Sequence, residues 1–210
     1  MDLDAVIFDY DGVIVLTEDA WDEADIRFLA SHGVTGIDPK VYKPQIVGRS
    51  LVQGAEMLGE LFGVVGDYEL LGEQRFQFAK QALSEKVEFV PGFLEFKKNL
   101  KLKSAVATAS HPDLFKIVDE RLGISKMFDN RVYYISDVGN KSKPEPDIFL
   151  YAAKNIGVRP ERCAVIEDSP NGILAAKRAG MKAIGITTTF SRDLLSEADI
   201  VVDSYSDIEI

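Results

Sequence analysis

The chain has 210 residues, 46% hydrophobic and 28% charged, which is enough for one substantial core or one domain with an insertion and excludes a disordered chain. Thirty-four acidic against 24 basic residues leave a formal charge of −10, so phosphate backbones and anionic lipid are repelled, and neither nucleic acid nor a membrane is an expected partner. No apolar run reaches a membrane span, the start MDLDAVIFDYDG lacks the basic segment and cleavage site of a secretory leader, and the lone Cys163 excludes an internal disulfide, so a cytoplasmic protein with a core thiol is expected.

In chain order, residues 5–8 (AVIF) read as a buried strand that runs straight into Asp9 and Asp11. Residues 17–90 read as helical, in three stretches at 17–33, 50–63 and 67–86, with no strand between them. Ser50 and Gln53 form a capping-box start for the second stretch. The segment 87–93 (VEFVPGF) is the expected return linker, punctuated by Pro91 and Gly92. Further apolar runs follow at 104–108, 131–135, 163–166, 183–186 and 199–202. They carry few alternating polar residues, as strands buried on both faces do. Helices are predicted over 113–123, 147–157 and 171–180, each ending on glycine. Strand–helix alternation of this kind implies an α/β doubly wound parallel sheet, with a helical block inserted after its first strand.

Open parallel sheets hold their ligands at the carboxyl ends of the strands, so the residues that follow each run carry the chemistry. These are Asp9 and Asp11 after the first strand, and Thr108, Ala109 and Ser110 after the second. Glu167 and Asp168 follow residues 163–166, and Lys141 and Lys143 precede a helix. Two carboxylates about 4 Å apart repel by roughly 4 kcal/mol at an effective dielectric near 20, so such a cluster calls for cations. Oxygen-only ligation suits Mg²⁺, which keeps room for a substrate phosphate. An aspartate within reach of phosphorus then implies covalent phosphoryl transfer.

These residues resemble the motifs of the haloacid dehalogenase-like superfamily. DYDGV resembles its DxDG(T/V) motif, and Thr108 its second motif. KPEPDIF (143–149) resembles the third, and VIEDSPNGILAAKRAG (165–180) the fourth. An inserted helical cap matches the small-cap subgroup, which includes phosphoglycolate phosphatase and β-phosphoglucomutase. The resemblance implies a Rossmann-like core at 1–15 and 90–210 and a helical cap at 16–89. It implies Asp9 as nucleophile and Asp11 as general acid and base. It also implies Mg²⁺ on Asp9, the main-chain carbonyl of Asp11 and Asp168, with Glu167 either a ligand or behind one. Thr108, Ala109 and Lys143 would hold the phosphoryl oxygens.

Each position also has a plainer reading. Asp9 and Asp11 could mark a turn, and Glu167 and Asp168 a helix start with Ser169 as N-cap and Pro170 at N1. Lys143 could be a surface charge and Thr108 a β-branched strand residue. Ser110 and His111 could touch the ligand, or Ser110 could cap a helix. In the inserted block, Arg49 could contact substrate or stay on the surface. Trp21 could stack on substrate or pack in a stripe with Ala24, Phe28 and Leu29.

Within the resemblance, an aspartate at position 11 favours phosphate esters over dehalogenase and phosphonatase chemistry. The expected activity is Mg²⁺-dependent hydrolysis of a small phosphorylated metabolite, either a sugar phosphate or a short phosphorylated acid. A sugar phosphomutase is the alternative, although its cap histidine near position 21 is lacking. A regulatory phospho-acceptor of the receiver kind and a silent binding module are alternatives of other classes. The oligomeric state is not legible in the sequence.

Overall fold

A computed structural model describes residues 3–47, 49–85 and 87–210. The chain opens with β1 (Ala5–Phe8) and a two-residue strand β2 (Val15–Leu16). Then come α1 (Glu18–Ser31), α2 (Lys43–Ile46), α3 (Leu51–Phe62) and α4 (Tyr68–Glu85). The return runs through β3 (Glu88–Phe89), α5 (Phe93–Asn99), β4 (Lys103–Thr108), α6 (Pro112–Leu122), α7 (Ile124–Met127) and β5 (Val132–Tyr134). The last third contains α8 (Asp147–Ile156), β6 (Cys163–Glu167), α9 (Pro170–Arg178), β7 (Lys182–Ile186) and β8 (Ile200–Val202). Among the described residues, no helix is long and apolar enough to cross a membrane.

Six strands pair in parallel in the order β5–β4–β1–β6–β7–β8. The period-2 alternation of strand side chains divides the apolar residues between two faces. Val6 and Phe8 of β1, Val106, Ile166 and Ile184 pack on one face with Phe93, Phe115 and Phe128. Ala5 and Ile7 join Ala105, Val165 and the Ile148–Phe149 pair of α8 on the other, with Ile173 of α9. Covered on both faces, the strands have no polar side to show. Cys163 is a buried free thiol in this second layer.

Strand order reverses at β1, with β4 on one side and β6 on the other. Phe8 pairs with both Val106 and Ile166, so the carboxyl ends of β1, β4 and β6 lie side by side. A crevice at such a switch point is where open α/β sheets bind ligands.

The segment between β2 and β3 contains the four helices α1 to α4, with an apolar cluster of their own around Phe28, Leu29, Tyr42 and Leu58. Ser50 caps α3 by accepting from Gln53 N, and Gln53 returns the capping box. Two details differ from the sequence reading. The block is closed at its base by a short antiparallel pair, Val15 with Phe89 and Leu16 with Glu88, so the return linker is partly strand. A two-residue ladder is too short to leave a periodic signal. Ser110 is not the cap of α6. His111 is, with its Nδ1 accepting from Asp113 N at 3.2 Å, because Ser110 is drawn to Asp11 instead.

Candidate active site

Asp9 follows β1 directly, its own N–H bonding to Ile166 O at 3.0 Å and so holding it level with Glu167 at the end of β6. Lys143 reaches between them from the turn before α8. Its Nζ donates to Asp9 Oδ1 at 2.6 Å and to Glu167 Oε1 at 2.6 Å. The lysine is fully buried, so it is not a surface charge. Burial opposes its charge, but the Asp9 and Glu167 carboxylates outweigh that and hold its pKa above the ordinary lysine value.

Glu167 is saturated by the protein. Its Oε2 accepts from Asp168 N, Ser169 N and Ser169 Oγ at 2.9–3.0 Å. Ser169 also caps α9, with Pro170 at its first turn, so the helix start and the acidic pair are one structure. With both oxygens occupied, Glu167 is suited to sit behind a cation rather than against it. A Cβ at Gly172 would fall on the Glu167 carboxylate, which requires glycine there.

Asp168 is the opposite case. It is completely buried, and neither carboxylate oxygen has a hydrogen-bond partner among the described residues. Burial, and then Glu167, Glu18 and Asp9, raise its pKa well above the usual carboxylate range. Burial likewise pushes Asp9 up to about 8, with Lys143 pulling down and Glu167 and Asp11 adding to the rise. Asp9, Glu167 and Asp168 each offer an oxygen within 4.8 Å of the others. Three carboxyl groups against one ammonium can all ionise in this dry pocket only if a further cation balances them. The orphaned oxygens of Asp168 and the all-oxygen donor set fit a hard divalent cation. Gly12 lies against this group. Its φ is +70°, a Cβ there would collide with Asp168, and its carbonyl accepts from Thr188 Oγ1 at 2.5 Å. Thr189 Oγ1, buried without a partner, faces the same spot.

The Asp11 carboxylate is not part of that group, and neutral donors hold it separately. Thr17 Oγ1 donates to Oδ1 at 2.6 Å, Trp21 Nε1 to Oδ1 at 3.1 Å, and Ser110 Oγ to Oδ2 at 2.6 Å. Thr108 is fully buried, and its hydroxyl accepts from Ser110 N at 2.9 Å, which leaves its own proton free to donate. The two neighbouring aspartates thus occupy different chemical settings, one on an ammonium in the dry interior and one on hydroxyl and indole donors.

Asp9 and Asp11 open into a cavity of ≈ 60 Å³ beneath the helical block. Ala109, Ser110 and His111 border it from the sheet side, and Trp21 and Arg49 from the helical side. Trp21 meets the packing expectation and adds a contact to the site. It packs against the core and its indole reaches Asp11, while Arg75 covers its ring at 4.9 Å. Gly48, in the loop expected to carry Arg49, lies outside the described residues. That loop is tied to the core at both ends. Asn171 Nδ2 donates to Val47 O at 3.1 Å, and Ser142 Oγ donates to Gln53 Oε1.

Several of these partners carry no sequence signal. Thr17 lies six residues from Asp11 at the start of α1, and only the turn between them brings it back. Asn171, and the ion-paired Glu18, Asp22 and Lys43, meet their partners through tertiary packing alone.

A family model for haloacid dehalogenase-like hydrolases matches residues 3–180. The chain is 32% identical to the phosphorylated carbohydrates phosphatase of Thermotoga maritima, over 87% of this chain and 84% of that protein. It is also 32% identical to β-phosphoglucomutase of Bacillus subtilis, over 98% and 92% of the two chains. A solved structure of a haloacid dehalogenase family hydrolase from Deinococcus radiodurans, with bound phosphate and sodium, superposes with a TM-score of 0.73 at 26% identity, covering 98% of this chain and 93% of that one. With its motifs gathered at the switch point of a doubly wound sheet, this chain belongs to the haloacid dehalogenase-like hydrolases.

Proposed function

We propose that the protein is a Mg²⁺-dependent phosphatase that hydrolyses a small phosphorylated metabolite through an aspartyl-phosphate on Asp9. The observation that carries this reading is the separation of the two aspartates. Asp9 sits on Lys143 beside the cation pocket, and Asp11 sits on Thr17, Trp21 and Ser110 facing the cavity. The phosphatase activity of the Thermotoga relative and the phosphate bound in the Deinococcus structure support it.

An Asp9 oxygen attacks phosphorus, and the bond to the leaving oxygen breaks. Asp11 gives that oxygen its proton, so the leaving group departs as an alcohol. Asp11 then takes a proton from water, which attacks the acyl phosphate, restores the Asp9 carboxylate and frees inorganic phosphate. Lys143 and the free hydroxyl proton of Thr108 hold the phosphoryl oxygens, with the main chain around Ala109 beside them. Asp9, Asp168 and the main-chain carbonyl of Asp11 would hold Mg²⁺, and Glu167 would orient that set and Lys143. The ion supplies charge neutralisation for the phosphoryl group.

Residues 16–89 act as a cap domain over a core of 1–15 and 90–210. A cap seated this closely excludes protein substrates. The single, buried Cys163 suits a reducing cytoplasm.

A sugar phosphomutase is the second reading, favoured by the identity with the Bacillus enzyme. One assay separates the two. Phosphate release with Mg²⁺ is measured over hexose phosphates, β-glucose 1-phosphate and phosphoglycolate, with glucose 6-phosphate formation followed in parallel. Release by the wild type and none by Asp9→Asn is the expected result. Isomerisation without release would establish the mutase, and neither product would overturn both readings.

A further inference from the structure

The segment that follows β7 carries three consecutive threonines, 187–189, and their hydroxyls have three different surroundings. Thr187 Oγ1 donates to Asp203 Oδ1 at 2.8 Å, and its N–H bonds to Val202 O at 3.0 Å, which ties the segment to the end of β8. Thr188 Oγ1 donates to Gly12 O at 2.5 Å, so the same segment grips the loop that carries Asp11. Tyr205, beyond β8, donates to the next carbonyl of that loop, Val13 O, at 2.8 Å. Phe190 is buried in the apolar layer with Ile7 and Val165. Thr189 is therefore held between fixed neighbours.

The Thr189 hydroxyl makes no such bond. It is buried and has no hydrogen-bond partner among the described residues. A Cβ on Gly12 would lie 2.6 Å from this oxygen and 1.8 Å from Asp168 Oδ2, so the two oxygens converge on the point that the glycine leaves open. Asp168 Oδ2 is likewise without a partner. Burial and the Glu167, Glu18 and Asp9 carboxylates oppose charge on Asp168, and the Thr189 hydroxyl is the neighbour that favours it. A buried donor left unmet costs stability in the fold alone.

We infer that Thr189 is a positioning residue for the divalent cation, its hydroxyl holding the Asp168 carboxylate in the orientation that coordinates the metal. This rests on the reading of the Asp9 and Asp168 pocket as a cation site and not on the substrate. A carboxylate with one oxygen on a cation still has acceptor capacity on the other, and a donor there fixes its rotation. The local donors are already taken, because Asp168 N, Ser169 N and Ser169 Oγ all go to Glu167. Thr189 supplies the donor from across the pocket, while Thr188 fixes the Gly12 loop beside it.

Mn²⁺ alone is titrated calorimetrically into the wild type, Thr189→Val and Thr189→Ser, and each protein is melted in EDTA. Thr189→Val keeps the shape and removes the hydroxyl. It is expected to weaken Mn²⁺ binding by about tenfold or more, the usual loss for a group that orients a metal ligand. Its Tm in EDTA is expected to equal or exceed that of the wild type, because an unmet buried donor has gone. Thr189→Ser keeps the donor and is expected to restore most of the affinity. A residue kept only for packing would not weaken the metal while sparing the metal-free fold. Unchanged affinity in Thr189→Val would overturn the inference, as would a loss matched by a lowered Tm in EDTA or shared equally by Thr189→Ser. A wild type that binds no Mn²⁺ would overturn the cation reading of the pocket and this inference with it.

Discussion

Lys143 is the residue on which the site's electrostatics turn. It is a fully buried ammonium bonded to two carboxylates, and among the described residues no other cation is bonded to them. Lys143→Met should therefore destabilise the fold by about 3–5 kcal/mol in chelator, the cost of stranding buried charge. Urea unfolding in EDTA measures it, and a loss below about 1 kcal/mol would mean the pair is better solvated than its burial indicates. Gly12 is constrained twice, by a φ of +70° and by the Asp168 carboxylate where a side chain would begin. Gly12→Ala should cost about 1–3 kcal/mol in backbone strain. It should also weaken Mn²⁺ binding by about tenfold or more, because the alanine displaces Asp168. Calorimetric titration with Mn²⁺ reads the second effect directly, and unchanged affinity would remove Asp168 from the cation site.

Between elements, the inserted helices are held together by a buried ion pair and to the sheet by apolar packing and polar bonds. Asp25 of α1 and Arg75 of α4 form that ion pair between two extensively packed helices. Asp25→Ala leaves the guanidinium alone and should cost about 3–5 kcal/mol, seen as a lowered denaturation midpoint. Across the seam between the inserted helices and the sheet domain, Ala20, Ala24, Ala79 and Leu83 pack in one apolar cluster with Leu114 and Phe115, and polar bonds tie the loop near Arg49, with Asn171 on Val47 and Ser142 on Gln53. Asn171→Ala should leave stability within about 1 kcal/mol of the wild type while raising KM, since it frees the loop that carries Arg49. Steady-state kinetics beside a melting curve separate these effects, and an unchanged KM would mean that the seam does not hold the substrate loop. What was legible in the sequence follows the same division. Asp9, Asp11, Thr108, Glu167 and Asp168 stand at the ends of apolar runs, where strand periodicity and the parallel-sheet rule locate them, and Lys143 precedes a helix in the motif KPEPDIF. The capping box at Ser50 and the helix start at Ser169 are local as well, and both could be read from spacing. Thr17, Asn171 and the Glu18, Asp22 and Lys43 cluster depend on how the inserted helices fold back over the sheet, which no local spacing encodes. Ser110 was ambiguous because one short polar side chain suits both a cap and a carboxylate, and only the position of Asp11 decides between them.

At the scale of the whole molecule, stability, pH and cation should be linked through the same carboxylates. Burial lifts Asp9 to about 8 and raises Asp168 well above its ordinary value. A carboxyl raised in the fold keeps its proton there. Its contribution to stability is therefore present below the unfolded value of about 4 and is lost as pH climbs toward 8. A divalent cation competes with those protons and stabilises the deprotonated fold. The Tm difference between Mg²⁺ and EDTA should accordingly widen from pH 5 to pH 8, and a difference that stayed flat would detach the cation from these groups. The most direct test concerns Asp9 itself. Asp11→Asn protein, which lacks the base for the second step, is mixed with acetyl phosphate and Mg²⁺, quenched in acid and mapped by peptide mass spectrometry. Acetate leaves without a general acid, so the first step should proceed and one phosphoryl group should accumulate on Asp9, absent from the Asp9→Asn, Asp11→Asn double variant. A phosphoryl group on any other residue, or none while phosphate is still released, would contradict covalent catalysis by Asp9.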